Sequence, residues 1–296
     1  MTGGAVVVGD LMTDVVTRVD DPLSLGSDTP ATVRTRLGGA GGNVAAWLAA
    51  QGVPCLFVGR VGDDPFGREA VAALRSAGVT AHVGVDAHVA TGACVVLVGR
   101  DGERTMLPDA GANSALSSGD LPLEALRRAE HLHVSGYTLL NPGSRAAGTT
   151  ALAAARAAGV STSVDASSAA PLEAVGSTAF VAMTRDVDLL FATLDEAEVL
   201  CDSRDPAVVA ARLTAHYPQV VLKLGAAGAW WCAADGRTLT AAAVPASGAV
   251  VDTTGAGDAF AAGYLASTLG GADVDAALAN GCRTAAAVVT RDGARP

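Results

Sequence analysis

The sequence predicts an α/β fold with a central, mostly parallel sheet, and two observations lead to this prediction. Short runs of β-branched residues alternate with alanine-rich stretches of helical character along most of the 296 residues. Hydrophobic residues make up 50% of the chain, so one large core can be buried. Repeated βα units place parallel strands side by side, with helices on both faces and ligands at the carboxyl ends of the strands.

The individual elements follow from this alternation. Within the predicted helix 65–77, the apolar residues Phe66, Ala70, Val71 and Leu74 fall on one face, as an amphipathic helix requires. We expect strands at 5–8, 55–58, 131–135, 160–165, 189–192 and 220–224, and helices at 43–51, 65–77, 144–158, 194–201, 206–216, 256–269 and 273–290.

Two stretches, approximately 11–37 and 85–107, interrupt the alternation. In both stretches β-prone residues alternate with polar ones, and turn residues lie at 20–22, 26–28 and 101–103. We predict that they form a small β lid on a single domain that spans residues 1–296. A lid over an active site would exclude water from reactive groups, whereas the alternative is a pair of surface hairpins.

Charge and composition exclude several classes of protein. The net charge is −10 with a pI near 4.8, which disfavours nucleic acid as a partner because no basic patch is visible. No uncharged apolar run approaches the roughly 18 residues that span a bilayer, and no basic leader opens the sequence, so we expect a cytoplasmic protein without a membrane partner.

The five cysteines contain no C-x-x-C pair, and we expect them to be buried and reduced. The histidines lack metal-ligand spacing, and we assign His131 and His133 to structure.

The segment 252–260, DTTGAGDAF, combines a glycine-rich turn with one carboxylate. Gly255 and Gly257 allow a sharp turn that brings backbone amides close to a ligand. The apolar run that follows is predicted to be helical, and a helix N-terminus attracts anions. Asp258 does not favour anion binding, so we interpret it as a proton acceptor beside a phosphate, as transfer of a phosphoryl group to a hydroxyl requires. The alternative is that Asp258 caps the helix.

A second glycine cluster occupies residues 38–43, with the sequence GGAGGN. A dinucleotide-binding turn would require G-x-G-x-x-G directly after a strand, and this cluster meets neither condition. Asn43 is an uncharged amide that suits sugar hydroxyls. The cluster therefore favours close approach to a polar small molecule over a dinucleotide-dependent oxidoreductase.

Together the two clusters resemble the PfkB family of carbohydrate and nucleoside kinases. The family's GG-x-x-GN-x-A signature is matched within residues 38–45, and its DTxGAGD signature is matched in full by residues 252–258. Segments 58–67, 224–228 and 291–294 also resemble family motifs, so the resemblance covers essentially the entire chain. It implies a ribokinase-like three-layer α/β/α domain and a kinase that uses ATP and Mg²⁺.

The resemblance implies a role for each residue of the two signatures. Asp258 would be the catalytic base, and the amides of Gly255, Ala256, Gly257 and Asp258 itself would form an anion hole for the transferred phosphoryl group. The substrate would be held by an acidic residue after the first strand, together with Gly38, Gly39 and Asn43. Asp14 is the better match for that acidic residue, and Asp10 is a second candidate for which a turn cap is the alternative.

The resemblance also assigns residues to the nucleotide and to cations. Glu196 would organise Mg²⁺ through water, but Thr193 stands where the family's N-x-x-E motif has asparagine, which puts a phosphate contact in doubt. Lys223, Gly225 and Gly228 are expected at the nucleotide. In the lid, Arg104 would close over phosphates or substrate, or remain a solvated charge. Some family members are activated by K⁺, and the corresponding positions here are Asp252, Val288 and Gly293.

The acceptor remains open between a free sugar and a ribonucleoside. Ala40 and Gly41 are neutral where kinases of phosphorylated hexoses often carry a lysine, which favours an unphosphorylated acceptor. Aromatic residues make up only 4% of the chain, which tilts weakly towards a free sugar, although Leu, Val or Met can also pack against a base. Pseudouridine is the nucleoside to test first. A catalytically silent sugar- or nucleotide-binding relative is the alternative, and a homodimer through the lid is expected from its β edges.

Overall fold

The computed structural model describes residues 3–100 and 103–296, so Asp101 and Gly102 of the predicted turn lie outside the described residues. Its strands are β1 (Ala5–Val8), β2 (Met12–Arg18), β3 (Thr32–Gly38), β4 (Cys55–Gly62), β5 (Thr80–Asp86), β6 (Gly92–Val98), β7 (Arg104–Asp109), β8 (His131–Ser135), β9 (Ser161–Asp165), β10 (Leu189–Thr193), β11 (Gln219–Lys223), β12 (Ala229–Ala233) and β13 (Thr238–Ala241).

Nine of these strands form one large sheet in the order β13-β12-β11-β10-β9-β8-β1-β4-β5. Every neighbouring pair from β11 to β5 is parallel, whereas β12 and β13 are antiparallel additions at one edge. The central, mostly parallel sheet that the sequence predicts is therefore confirmed. Because the strands are parallel, β1, β9, β10 and β11 all end at the same edge of the sheet.

A separate four-stranded sheet has the order β3-β2-β6-β7 and is called the small sheet below. Its strands come from the two stretches that interrupt the βα alternation. Residues 80–86, which include the start of the second stretch, instead form β5 at the edge of the large sheet. This strand pairs in parallel with β4, from Leu56 opposite Thr80 to Gly62 opposite Asp86, so it is not part of a surface hairpin.

The helices are α1 (Ala40–Ala50), α2 (Pro65–Ser76), α3 (Leu123–Leu126), α4 (Gly136–Leu140), α5 (Arg145–Ala157), α6 (Ala169–Val175), α7 (Ser177–Met183), α8 (Leu194–Cys201), α9 (Pro206–Leu213), α10 (Ala256–Leu269) and α11 (Val274–Val288). The predicted helix 194–201 has the same bounds as α8. The helix predicted at 43–51 begins earlier, at Ala40, so Gly41, Gly42 and Asn43 belong to its first turn. Gly39 makes this possible with a φ of 91°, where a Cβ would lie 2.5 Å from the carbonyl oxygen of Asp10.

Apolar side chains fill both faces of the large sheet. On one face, Phe191 of β10 packs edge-to-face against Tyr264 and Phe260 of α10, with ring centroids 5.5 and 6.5 Å apart. This contact fixes the helix that carries the second signature against the middle of the sheet. Within residues 3–100 and 103–296, no helix is long and apolar enough to cross a membrane.

Two histidines lie in the sheet interior and form a polar network around one serine. Ser163 Oγ lies 2.7 Å from Nε2 of His131 and 2.8 Å from Nδ1 of His133. Burial lowers the pKa of His131 from 6.5 to about 3 and that of His133 from 6.5 to about 4. Both rings are therefore neutral inside the folded protein at pH 7.

The lowered pKa of His133 predicts a specific loss of stability in acid. Between pH 6.5 and about 4 the unfolded chain binds a proton at this histidine that the folded chain does not. His133→Phe should therefore flatten the slope of unfolding free energy against pH by up to ~1.4 kcal/mol per pH unit in this window. Urea unfolding at several pH values measures the slope, and His216→Gln, at an exposed histidine, serves as the control. Equal slopes for wild type and His133→Phe would contradict the prediction.

Candidate active site

A cavity of about 870 Å³ lies between the carboxyl edge of the large sheet and the small sheet. Sequence positions far apart in the chain meet on its walls. The predicted site residues that line it are Asp10, Asp14, Gly39, Asn43, Thr193, Glu196, Lys223, Gly255, Gly257 and Asp258. Those that do not line it are Gly38, Ala256, Gly225, Gly228, Asp252, Val288 and Gly293.

Asp258 lies in the first turn of α10, facing the first turn of α1. Its Oδ2 accepts a hydrogen bond of 2.8 Å from Nδ2 of Asn43. Burial raises the pKa of Asp258 from 3.8 to about 7, although the hydrogen bond from Asn43 and the charge of Lys223 oppose the rise. A carboxylate with this pKa can accept a proton near neutral pH and hold it while a reaction proceeds.

The turn before Asp258 presents glycine backbone to the cavity. Gly255 has a φ of 77°, which favours glycine, and a Cβ there would collide with Ala294 near the end of the chain. The amide of Ala256 already donates to the carbonyl of Thr253 at 3.2 Å. Gly255, Gly257 and Asp258 line the cavity, so the turn offers an anion one donor fewer than the motif alone suggests.

Asp10 follows β1 and binds the start of α1. Its carboxylate accepts hydrogen bonds from the amides of Ala40 at 3.0 Å and Gly41 at 3.2 Å, and from the hydroxyl of Ser135 at 3.0 Å. Asp10 therefore caps the start of α1, a helix remote in sequence, rather than the turn after β1 that the alternative supposed. Asp10 also lines the cavity, so its remaining lone pairs face a ligand.

Asp14, on β2 of the small sheet, differs from Asp10 in having no donor. It is 8% exposed, and within residues 3–100 and 103–296 no group donates a hydrogen bond to its carboxylate. Burial and the neighbouring charge of Asp10 raise the pKa of Asp14 from 3.8 to about 6, and Arg295 opposes the rise. A Cβ on Gly38 would lie 2.5 Å from its carboxylate oxygens, so that glycine leaves room for the side chain. A buried carboxylate without a partner is suited to ligand hydroxyls.

Lys223 ends β11 and pairs with Asp165, which ends β9. Nζ of Lys223 lies 2.6 Å from Oδ2 of Asp165, and both side chains are largely buried. Burial alone would lower the pKa of Lys223, but Asp165 and Glu196 together raise it, so the ammonium stays charged. A Cβ on Gly257 would lie 3.1 Å from Nζ, which places the lysine directly beneath the glycine turn. Sequence reasoning missed Asp165, although it ends a predicted strand at the ligand edge.

Thr193 and Glu196 form a capping box at the start of α8. The amide of Glu196 donates to the hydroxyl of Thr193 at 3.3 Å, and Oε2 of Glu196 accepts from the amide of Thr193 at 2.8 Å. Threonine in place of asparagine is thus a helix cap of ordinary geometry. Burial raises the pKa of Glu196, while Lys223 opposes the rise.

Arg104, at the start of β7, ties the small sheet to the second signature. Its guanidinium lies 2.9 Å from Oδ1 of Asp252 and donates to the hydroxyls of Thr253 and Thr254 at 3.2 and 3.1 Å. The same Asp252 oxygen accepts from the amide of Thr254 at 2.7 Å. Arg104 is therefore not a solvated charge: its Nη1 is engaged by Asp252 and both threonines, and the residue also lines the cavity.

The remaining predicted residues lie outside the cavity wall. Gly225 is exposed in the turn after β11. Gly228, with a φ of 96°, accepts from the amide of Leu224 at 2.8 Å and closes that turn. Val288 is buried at the end of α11, and Gly293 follows in the last loop.

The small sheet contributes an apolar wall to the cavity. Met12 of β2, Cys94 of β6, and Met106 and Pro108 of β7 all line it. These residues share one face because Cys94 is paired with Pro108 and Val96 with Met106 across the β6–β7 ladder. Nothing in the sequence distinguishes these four from its other apolar residues as cavity residues, because strand pairing decides which face of the small sheet points inward.

Known proteins show the same organisation. The sequence model of the pfkB family of carbohydrate kinases matches residues 3–296. An ATP-dependent ribose-1-phosphate kinase from Halopiger xanaduensis is 34% identical, covering 97% of this chain and 92% of that protein. Among solved structures, adenosine kinase from Sinorhizobium meliloti gives a TM-score of 0.90 at 25% identity, covering 100% of this chain and 96% of the other. Ribokinase from Arabidopsis thaliana, complexed with ribose and ATP, gives 0.83 at 26% identity, covering 99% and 95%.

These similarities confirm the predicted family and the ribokinase-like fold. Relatives named as kinases cover nearly the whole chain, so the protein is a kinase of sugars or nucleosides rather than an oxidoreductase. With both signatures present and a family match over almost every residue, the chain belongs to the pfkB family of carbohydrate kinases.

Proposed function

We propose that this kinase transfers the γ-phosphoryl group of ATP to a hydroxyl of a small sugar or ribonucleoside, with Asp258 as the general base. The observation that carries the proposal is the position of Asp258. It lies in the first turn of α10, on the wall of a cavity that also holds the unpartnered carboxylate of Asp14 and the ammonium of Lys223. One cavity thus holds a carboxylate that can act as a base, a carboxylate suited to hydroxyls and an ammonium suited to phosphate, and this supports the proposal.

The proton and the charge follow from this arrangement. The acceptor hydroxyl, held by Asp14 and Asn43, gives its proton to Asp258 as its oxygen attacks the γ-phosphorus. The bond from that phosphorus to the bridging oxygen of ADP breaks at the same time. The amides of Gly255 and Gly257 and the dipole of α10 stabilise the negative charge on the transferred group.

The residues at the ends of β10 and β11 fit a magnesium nucleotide. Lys223 places its ammonium beneath the glycine turn, and Glu196 is a buried carboxylate on the cavity wall with Oε2 engaged and Oε1 remaining. Glu196 would hold Mg²⁺ through water, and Thr193 would add a hydroxyl. When bound, Mg²⁺ neutralises phosphate charge. K⁺ remains a prediction, since the Oδ1 of Asp252 is engaged by Arg104 and the Thr254 amide.

The apolar wall supports a ribonucleoside as the acceptor. Met12, Cys94, Met106 and Pro108 offer a surface on which a base can pack, whereas a free sugar has little apolar surface to bury. This outweighs the low aromatic content, because the packing surface is aliphatic and sulfur-containing. The small sheet would act as the lid that excludes water.

Ribose 1-phosphate is a second candidate acceptor, because the relative from Halopiger xanaduensis is 34% identical to this chain. Among the described residues, the cations that line the cavity are Arg104 and Lys223, and each is in an ion pair. A second phosphate would compete with Asp252 or Asp165 for these cations, which makes an uncharged acceptor the better fit. A homodimer through the small sheet remains a prediction, with Val33, Val95 and Leu107 exposed there.

Replacing the proposed base tests the catalytic proposal. Asp258→Asn should lower turnover by about 10²–10⁴-fold, because the amide cannot accept the hydroxyl proton. ADP release with magnesium ATP, measured across sugars, ribose 1-phosphate and nucleosides, gives the rate, and calorimetry should show ATP binding largely unchanged. Asp275→Asn is the matched control, since Asp275 is an exposed aspartate in the first turn of α11. Near-wild-type turnover in Asp258→Asn would refute the assignment, and tight binding without turnover in the wild type would favour a silent relative.

The contact between Gly38 and Asp14 predicts a selective effect on the acceptor. Gly38→Ala places a Cβ 2.5 Å from the Asp14 oxygens and must displace that carboxylate. We expect the acceptor KM to rise about tenfold or more, as loss of a hydrogen bond to a charged group implies, while the KM for ATP changes little. Gly248→Ala, where a Cβ meets nothing within 4 Å, is the control. An equal rise in both KM values would argue against Asp14 as the acceptor ligand.

The apolar wall predicts that the KM for a ribonucleoside depends on Met106, whereas the KM for a free sugar does not. Met106→Ser should raise the KM for a ribonucleoside about tenfold by removing buried apolar surface, and should hardly affect a free sugar. Leu107→Ser is the matched control, because Leu107 is the next residue on β7 and points to the opposite face. Steady-state kinetics with both acceptors measures the effect. An equal change for sugar and nucleoside would contradict a base packed on this wall.

A further inference from the structure

The penultimate residue, Arg295, places its guanidinium between the two glycine clusters. Nη2 donates to the carbonyl of Gly38 at 2.8 Å, and Nε donates to Oδ1 of Asn43 at 3.2 Å. Nη1 is buried and has no hydrogen-bond partner within residues 3–100 and 103–296. The sequence motifs assign this arginine no role, and its position becomes visible only in the folded chain.

The end of the chain is anchored so that this side chain has a fixed place. Nε1 of Trp47, on α1, donates to the carbonyl of Ala294 at 2.9 Å. A Cβ on Gly42 would lie 2.6 Å from Nη2 of Arg295, so the absence of a side chain at Gly42 leaves space for the guanidinium. One glycine of the first signature therefore accommodates the arginine.

The arginine determines which way the Asn43 amide faces. A side-chain amide has a carbonyl that accepts and an NH₂ group that donates, whereas a guanidinium only donates. Arg295 must therefore face Oδ1 of Asn43, and this turns Nδ2 towards Oδ2 of Asp258 at 2.8 Å. The hydrogen bonds run in one direction, from guanidinium to amide to carboxylate, and they favour the ionised form of Asp258.

The hydrogen bonds to Asp258 matter because its electrostatic surroundings disfavour the ionised form. Burial is the main factor that disfavours the ionised carboxylate, the charges of Asp165 and Asp10 add to it, and the charge of Lys223 opposes it. Arg295 interacts with Asp14, Asp10 and Asp258 without an ion pair within 4.0 Å to any of them. The titratable and charged groups that face Asp258 are Asp10 after β1, Asp165 of β9, Lys223 of β11, Tyr137 of α4 and Arg295.

We propose that Arg295 is a positioning residue for the catalytic base, acting through Asn43 to hold Asp258 in its ionised, correctly oriented form. The proposal rests on the proposed role of Asp258. Arg295 itself contacts neither the acceptor nor the reacting atoms. It acts by fixing the amide of Asn43, which donates to the base.

The test is the pH dependence of kcat/KM in Arg295→Met. In the wild type the acidic limb of the pH profile should have its midpoint near the Asp258 pKa of about 7, because the base no longer accepts a proton once it is protonated. Without the arginine, Asn43 is free to rotate its amide and the ionised carboxylate loses its donor. The limb should then move up by about one pH unit. Turnover at neutral pH should fall about tenfold.

A double-mutant cycle shows whether the effect passes through Asn43. In an Asn43→Ala background, Arg295→Met should cause little further shift of the acidic limb, because the intermediary is already absent. Equal shifts in both backgrounds would overturn the proposal and leave only a direct charge effect. An unshifted limb in Arg295→Met, with reduced thermal stability alone, would overturn it in favour of a purely structural arginine.

Two further variants keep the test decisive. Arg295→Leu likewise has no donor for Oδ1 of Asn43, so it should shift the limb as Met does even if Arg295→Met folds poorly. Arg291→Met changes an exposed arginine in the same loop and should leave the pH profile unaltered. If Asp258→Asn retained turnover, the proposed function would fail; if Asp258→Asn is inactive but neither Arg295 variant moves the limb, only the present inference fails.

Discussion

The side-chain hydrogen bond from Asn43 to Asp258 is the contact on which the arrangement of the site depends. It joins the first turns of α1 and α10, the two helices that the glycine signatures precede, at a distance of 2.8 Å. Both helices lie against the large sheet, α10 through Phe260 and Tyr264 on Phe191. Because the two helix starts meet at one point, the proposed base on one helix and the proposed acceptor-binding amide on the other can reach the same hydroxyl.

Placing several carboxylates around one cavity has an electrostatic cost, and the protein offsets it with three cations that act at different points. Lys223 neutralises Asp165 beneath the glycine turn, Arg104 neutralises Asp252 from the small sheet, and Arg295 lies among the others without a direct ion pair. Asp14 and Asp258 have no cation within ion-pair distance, and burial raises their pKa values to about 6 and about 7. The two carboxylates that we propose to meet the acceptor can thus change their protonation near neutral pH.

Sequence reasoning reached the parallel sheet, the two signatures and Asp258, because each rests on local pattern: β-branched runs, glycine spacing and a carboxylate at a helix start. It missed the contacts that only the folded chain brings together. Asp165 and Lys223 are 58 positions apart, and Arg295 and Asn43 are 252 apart, so neither pair leaves a local signal. Thr193 is the opposite case. It stands where the family has asparagine, and this departure suggested that a phosphate contact is lost. The structure shows an ordinary capping box in which a threonine hydroxyl accepts the amide hydrogen bond.

The glycines of the two signatures meet different physical requirements of the fold. Because these requirements do not involve the substrate, the signatures can stay the same while the substrate varies. Gly39 and Gly255 have φ values of 91° and 77° and set the turns that begin α1 and α10. Gly38 leaves room for Asp14, Gly42 for Arg295 and Gly257 for Lys223. None of these requirements involves the part of the acceptor that faces the small sheet. In the proposed reaction, selectivity for that part would lie in Met12, Cys94, Met106 and Pro108, which strand pairing turns inward and which can change without disturbing Asp258.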